Sequence, residues 1–276
     1  MWTRYLIIMQ TLSNQQIQDE ALRLDRAESG RNQIKATTNF YPDMTIEDAY
    51  MIQDAWVNSK LSNGKKVIGH KVGLTSRVMQ RVMSINEPDF GVLLDDMYFE
   101  NGSEIALDQF LDPRIEVELA FILSDDIRPN LSSIDEVLEA TEKIVPALEL
   151  IAARSFRVDP ESGYKRTVRD TISDNAANAG VILGGQEIPK SDILTWVPCM
   201  MYNNGVIEQS GVSGAILGHP AKSLIWLANK YSEFNRQLKK GDIVLAGSFT
   251  APIIVKGGDQ VVADFNQFGK VTCSFK

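Results

Sequence analysis

The chain is poor in the side chains that most often hold soft metals or staple small folds. It has only two histidines and two cysteines among 276 residues, and the cysteines, Cys199 and Cys273, lie far apart. Zinc-finger, iron–sulfur and disulfide-scaffold architectures are thereby excluded, and such sparse cysteine usage fits a reducing cytoplasm. No apolar run approaches the ~18–20 residues of a membrane-spanning helix. Basic residues are in deficit, with 28 Lys+Arg against 36 Asp+Glu and a net charge of −8, which argues against a nucleic-acid partner. There is no Rossmann glycine fingerprint, phosphate loop, internal repeat or low-complexity linker. Carboxylates, lysines, hydroxyls and backbone are what remain for chemistry.

What is present reads as α+β. The opening apolar run, residues 1–9, lacks the length and cleavage pattern of a signal peptide and is expected to be an N-terminal extension, or else a short strand or interface arm. Residues 13–36 carry Ile17, Ala21, Leu24 and Ala27 at helical spacing behind a Ser/Asn cap. A second helix starts at Thr45, with Asp48 three residues on as a shorter relative of the capping box. Beyond Gly64 the texture turns to β-branched residues and glycine. Strands are expected at 67–74, 114–124, 181–183, 199–203, 206–208, 243–245, 253–255 and 271–275, with Asn204-Gly205 closing a hairpin. Helices are expected at 76–83, 133–143 and 220–231, and a loop over 85–91. One domain is expected, with a helical part over about 10–66 and a β-rich catalytic core over 67–276.

The strongest chemical signal lies in Arg114-Ile115-Glu116-Val117-Glu118-Leu119-Ala120-Phe121-Ile122. Residues two apart in a strand share a face, so Glu116 and Glu118 project together, followed by Ala120 and Ile122. Ile115, Val117, Leu119 and Phe121 form the other face, so the carboxylates belong to a strand with two buried sides. Like charges held so close repel unless one is protonated or a cation joins them. A third acid, Glu149, sits inside Pro146-Ala147-Leu148-Glu149-Leu150-Ile151. Three carboxylates without a histidine suit a hard cation, Mg²⁺ or Mn²⁺. On the residues alone an alternative stands equal to this: a solvated edge strand, with Glu149 paired to Arg114 or Arg154.

Lys71 lies between Gly69 and Gly73, as a lysine of lowered pKa, a fixed positive charge or a strand-end side chain reaching water. Its neighbour His70 must face the other way and is read as structural, and His219 as a helix cap. Asp89 is either a loop-borne acid or base, or a turn former. The small polar segment from Asp170 to Gly180 suits recognition of a carboxylate or keto group, or simply makes turns.

Taken together, Gly69-His70-Lys71-Val72-Gly73-Leu74-Thr75-Ser76, Glu87-Pro88-Asp89-Phe90-Gly91, Pro113-Arg114-Ile115-Glu116-Val117-Glu118, Pro146-Ala147-Leu148-Glu149-Leu150-Ile151, Ser173-Asp174-Asn175-Ala176 and Gly218-His219-Pro220-Ala221 resemble the hydratase/decarboxylase branch of the fumarylacetoacetate-hydrolase superfamily. The likeness spans nearly everything from about Ala27 to Phe275. It implies a mixed-strand β-roll, barrel-like core with N-terminal helices, a homo-oligomer, and a metal held by Glu116, Glu118 and Glu149. It also implies catalytic roles for Lys71 and Asp89, and a substrate site drawn from Leu74, Arg114, Arg154, Arg166, Ser173 and Asn178. Some relatives carry a serine after Asp-Asn-Ala; here that position is Ala177, and no serine role transfers.

The longer segment from Ile151 to Gly180 is similar to that of branch members acting on 2-oxo dicarboxylates. The expected reaction is metal-dependent hydration of 2-hydroxyhepta-2,4-dienedioate to 4-hydroxy-2-oxoheptanedioate. Arg154, Arg157 and Arg166 are then candidates to grip the second carboxylate, because a guanidinium binds carboxylates bidentately. Arg114 is instead a candidate to orient the metal carboxylates. Decarboxylation of a 2-oxo-3-enedioate and hydration of 2-oxopent-4-enoate are the sister alternatives. An acylpyruvate C–C hydrolase lacks its expected histidine, and a non-catalytic subunit has no need to bury three acids.

Overall fold

The computed structural model describes residues 10–130 and 133–276, so the expectation for residues 1–9 lies outside the described residues. In chain order the main elements are α1 (Asn14–Gly30), α2 (Ile46–Ser62), β1 (Val67–Gly73), α3 (Arg77–Val82), β2 (Asp89–Leu94), β3 (Tyr98–Phe99), β4 (Glu104–Ile105) and β5 (Arg114–Leu123). Then follow α4 (Ile134–Glu139), β6 (Thr141–Ile151), α5 (Val168–Ser173), β7 (Asn178–Leu183), β8 (Pro198–Asn203), β9 (Val206–Val212) and α6 (Ala221–Glu233). The chain closes with β10 (Ile243–Leu245), β11 (Ile253–Ile254), β12 (Gln260–Asp264) and β13 (Lys270–Phe275).

The two N-terminal helices start as their sequences direct. Ser13 and Gln16 form a full capping box, as do Thr45 and Asp48, and each satisfies backbone donors that the first helical turn leaves open. Asp48 does more than cap: it also accepts from the backbone of Thr11 and Leu12, tying the chain ahead of α1 to the start of α2. α1 ends earlier than its periodicity suggests, at Gly30, where Arg31 turns left-handed at φ 55.

Two mixed sheets form the body. The larger has eight strands in the order β2-β1-β10-β5-β6-β7-β3, with β11 added to β5; the smaller runs β4-β13-β12-β8-β9. β5 is therefore a central strand flanked by β10 and β6, and the edge-strand alternative for Glu116 and Glu118 falls. The odd-numbered residues Ile115, Val117, Leu119 and Phe121 enter the main core, which also takes the buried stripes of α1, α2 and α6. Ala120 joins a smaller apolar cluster with Leu93, Ala147, Val181 and Leu245. The α+β class with N-terminal helices and a β-roll core is what the structure has.

Three local expectations are corrected. The helix expected over 133–143 stops at Glu139, and Thr141 already begins β6, because that stretch pairs with Leu123 and Ile122 of β5. Asp89 opens β2 and is buried, rather than riding a loop. The turn-like segment around Asp170 begins as α5, capped by Thr167 and Asp170. β3, β4 and β12 were not anticipated. The Asn204-Gly205 hairpin does close β8 onto β9, with φ of 52 and 80 at the two turn residues.

Candidate active site

Register on the large sheet gathers the acids. In the antiparallel β5–β6 pair, Glu116 lies directly opposite Glu149, and Glu118 follows two residues along the same face. The three carboxylates offer oxygens that all lie within 4.8 Å of one another. Glu118 and Glu149 are each 1% exposed, and Glu118 accepts a 2.5 Å hydrogen bond from the Gly247 N–H.

Lys71 comes to this cluster from β1. Its Nζ lies 3.2 Å from Glu149 Oε1, and the side chain is buried rather than reaching water. Opposite Gly73 on the neighbouring strand is Asp89. A Cβ at Gly73 would stand 2.1 Å from Asp89 Oδ1 and 3.4 Å from Lys71 Nζ, so the missing side chain is what lets the two functional groups converge. Gly91 performs a similar service for the Asn175 carbonyl, which a Cβ would approach to 2.6 Å.

One cation among four acids sets the electrostatics. Burial pulls the Lys71 ammonium down, but Glu149, Asp89, Glu116 and Glu118 together outweigh it and hold its pKa above the ordinary value. Lys71 is thus a fixed positive charge, not a lysine of lowered pKa. Burial, reinforced by Glu149 and Glu116, pushes Glu118 well above the usual range. Burial likewise carries Glu149 to about 7, with Lys71 offsetting only part of it. Glu116 and Asp89 are raised for the same first reason. Asp89 Oδ1 is buried with no hydrogen-bond partner, and Glu149 Oε1 makes no well-directed hydrogen bond beyond its ion pair. Three carboxylate oxygens within 4.8 Å of one another, one of them without a hydrogen-bond partner, form an all-carboxylate donor set that fits a hard divalent ion.

The other sequence candidates divide. His70 faces the main core, where Nδ1 meets the Tyr231 hydroxyl at 2.7 Å and Nε2 lies 3.3 Å from Asp242. His219 accepts the Ala221 N–H at 3.1 Å and caps the start of α6. Leu74 ends β1 in a left-handed conformation, φ 54, and its carbonyl accepts from Gln80. Ser173 donates to the Arg169 carbonyl within α5, and Asn178 Nδ2 donates to Val92 O at 3.0 Å while its Oδ1 has no partner.

Arg154 is not free to meet a substrate. It donates to Glu28 from Nε and Nη2 and to Asp174 from Nη1, Nη2 also reaches the Asn178 carbonyl, and the guanidinium lies 4.6 Å over the Trp56 ring. Arg166 shares Asp174 at 3.2 Å, and Arg157 and Arg114 share Asp112 at 2.6 and 3.4 Å. Asp112 and Glu28, which position these arginines, carried no local signal, and Asp174 was read only within a polar recognition or turn segment; the tertiary structure is what pairs the three with the arginines.

Fold and site together define an enzyme-like class: a curled mixed sheet whose central strands present a carboxylate trio, half-buried at Glu116 and buried at Glu118 and Glu149, to one lysine and one aspartate. The family model for the fumarylacetoacetate (FAA) hydrolase C-terminal region matches residues 69–276, and the chain belongs to the fumarylacetoacetate hydrolase family. Among its relatives is the 2-oxo-hept-4-ene-1,7-dioate hydratase of Escherichia coli, 50% identical over 256 residues, covering 92% of this chain and 96% of the relative. The 2-keto-4-pentenoate hydratase of Paraburkholderia xenovorans is 32% identical, covering 96% of this chain and 97% of that one. A solved structure of 4-oxalocrotonate decarboxylase from Pseudomonas putida G7, complexed with magnesium and adipate, superposes with a TM-score of 0.91 at 28% identity, covering 97% of this chain and 100% of that chain.

Proposed function

We propose that the chain is a divalent-metal-dependent hydratase that adds water to 2-hydroxyhepta-2,4-dienedioate, or its 2-oxohept-4-ene tautomer, to give 4-hydroxy-2-oxoheptanedioate. The observation that carries the reading is the largely buried Glu116–Glu118–Glu149 cluster with Lys71 and Asp89 beside it, in a chain half identical to a hydratase of that substrate. The three glutamates would hold the metal, with Mg²⁺ favoured by the all-oxygen donors and by the magnesium in the decarboxylase structure. Bound there, a divalent cation supplies Lewis-acid stabilisation of charge developing on the oxygens of a 2-oxo acid.

The chain's own residues handle the rest. Lys71, protonated among the acids, holds positive charge where the enolate oxygen develops. Asp89, buried with one oxygen unpartnered and a raised pKa, exchanges protons readily. It takes the proton of the 2-hydroxyl and delivers it to C5, and then, ionised again, takes a proton of water as oxygen adds at C4; returning that proton to C3 completes the product. Leu74, Ser173 and Asn178 would line the 2-oxo acid end. Burial of the site keeps bulk water from competing with the one that reacts.

Aromatic meta-cleavage catabolism of 4-hydroxyphenylacetate is the setting this substrate implies. The buried, unpaired Cys199 and Cys273 suit the cytoplasm, and no described helix is long and apolar enough to cross a membrane. Exposed Trp196, Val206, Ile207 and Val212 beside and along β9 support a homo-oligomer. Stripping the enzyme with EDTA and restoring Mg²⁺ or Mn²⁺ tests the assignment. The expected result is metal-dependent loss of the dienol absorbance with a product heavier by one water. Turnover indifferent to EDTA, or release of CO₂ from a 2-oxo-3-enedioate without water addition, would replace the hydratase with another activity.

A further inference from the structure

β2 carries Asp89, yet it has a strand on one side only. β1 lies along one edge, and among the described residues no strand pairs with the other. All six residues of β2 are buried, so its outer backbone groups must find partners other than water. Side chains supply them. Gln53 donates to the Phe90 carbonyl at 2.9 Å, and the Leu94 N–H meets the Met97 sulfur at 3.4 Å. At Val92, between these, Asn175 serves both backbone groups. Its Oδ1 accepts the N–H at 2.8 Å and its Nδ2 donates to the carbonyl at 2.9 Å, where Asn178 Nδ2 joins at 3.0 Å.

The chain is strained to bring Asn175 there. Asn175, Ala176 and Ala177 are left-handed at φ 51, 51 and 59, a region that alanine avoids. Such residues persist only where their surroundings hold them. The Ala152 N–H binds the Ala177 carbonyl at 2.8 Å, and the Asp174 carboxylate takes the Arg154 N–H at 2.8 Å. Ala152 directly follows β6, the strand of Glu149. The Asn175 carbonyl also lies against Gly91, where a Cβ would stand 2.6 Å from it. Gly91 shares the face of Asp89, two residues away, and is the register partner of Lys71. One short turn therefore ties the strand of Asp89 to the end of the strand of Glu149, where no backbone ladder joins them.

We propose that Asn175 is a positioning residue for Asp89: its amide stands in for the missing neighbour strand at Val92 and fixes β2 against the glutamates. Without that amide β2 keeps β1 but loses the paired contact on its other edge. Asp89, three residues from Val92, is then free to shift relative to the reacting carbons. A displacement of about 1 Å at a reacting group costs on the order of 100-fold in rate. The inference rests on the proton transfers assigned to Asp89 in the hydratase reading and deepens it, because it names what aims that carboxylate.

Two variants separate the amide from the backbone that carries it. Asn175→Gly accepts the left-handed conformation without the amide, and Ala176→Gly eases the same turn while keeping it. In Mg²⁺-loaded enzyme held well below each Tm, Asn175→Gly should lose about 10–100-fold in kcat on 2-hydroxyhepta-2,4-dienedioate, with KM within about threefold. It should keep the wild-type stabilisation by Mg²⁺, and Ala176→Gly should match the wild type throughout. Hydrogen exchange at the Val92 amide should quicken by about tenfold or more in Asn175→Gly alone. Equal losses in both variants, a change confined to KM, or an unaltered kcat in folded Asn175→Gly would overturn the proposal. Deuterium uptake at C3 of 2-oxoadipate in D₂O reads the proton transfer without water addition, and should slow by the same factor. A wild type that exchanges this proton but hydrates no dienol refutes the hydratase reading, while slower exchange in Asn175→Gly leaves the positioning role standing. A wild type that hydrates, beside an unimpaired Asn175→Gly, refutes the positioning role alone.

Discussion

Replacing Glu149 by Gln separates the account of the acidic cluster from any view in which the three carboxylates are incidental. In the metal-free wild type, burial holds the Glu149 pKa at about 7 against an ordinary value of 4.5. The folded state therefore binds the proton more tightly than the unfolded chain. Stability from this group is fully present below about pH 4.5 and is lost as pH rises through about 7. A displacement of that size corresponds to a few kcal/mol, on the order of 3. Glu28 and Asp48, whose pKa values are lowered, act in the opposite direction but only as pH falls below their ordinary values.

Between pH 5 and 8, then, the metal-free enzyme should lose stability as pH rises, and Glu149→Gln should lose less. Metal reverses the penalty. At a hundred times its dissociation constant a ligand adds about 2.7 kcal/mol. With an unfolding entropy of about 2 cal/mol/K per residue over 276 residues, this becomes a rise in Tm of about 5 °C. Differential scanning fluorimetry at pH 6 and 8, with EDTA or Mg²⁺, reads both effects. The wild type should show the larger Mg²⁺ shift at pH 8, and Glu149→Gln should keep less than half of it while its metal-free form at pH 8 is no less stable. A variant that responds to Mg²⁺ as the wild type does, or a wild type that does not respond, would refute the reasoning.

Other outcomes follow from the same geometry. Lys71→Met should cut kcat by about 10²–10⁴-fold while retaining the Mg²⁺ stabilisation, since it removes charge at the reacting oxygen but no metal donor. Gly73→Ala should lose activity with little loss of fold, because its Cβ would meet Asp89 Oδ1 at 2.1 Å and must push that carboxylate aside; circular dichroism beside turnover distinguishes the two. Arg154→Met should cost about 1.5–3 kcal/mol in denaturant titration by taking one cation from half-buried Glu28, which keeps Lys60, and from buried Asp174, which keeps Arg166, without altering the preference for dicarboxylate over monocarboxylate.

The parts of the site legible in the sequence are those that a period-two strand encodes. Glu116 and Glu118 must share a face once 114–123 is a strand, and the alternation with Ile115, Val117 and Leu119 says so directly. That Glu149 would lie opposite Glu116 is a matter of register, which no local pattern carries. The strand position of Asp89, not its candidacy, was hidden by its neighbours: Asn86, Glu87 and Pro88 read as turn formers, and the strand begins only at Asp89 itself. Arg154, Arg157 and Arg166 look alike in one dimension. What sorts them is Glu28, arriving from the far end of α1 to claim Arg154. The segment Asn175-Ala176-Ala177 holds three successive left-handed residues, φ 51, 51 and 59, which alanine disfavours and which its small side chains do not announce. Asn175 secures that turn by bonding both the N–H and the carbonyl of Val92.

The most direct test of the central claim is product analysis by NMR after incubating 2-hydroxyhepta-2,4-dienedioate with Mg²⁺-loaded enzyme in D₂O. The account predicts 4-hydroxy-2-oxoheptanedioate with deuterium at C3 and C5, formed only with metal and lost in Glu116→Gln. Ketonised substrate without a C4 hydroxyl, or hydration that persists in Glu116→Gln after EDTA, would contradict it.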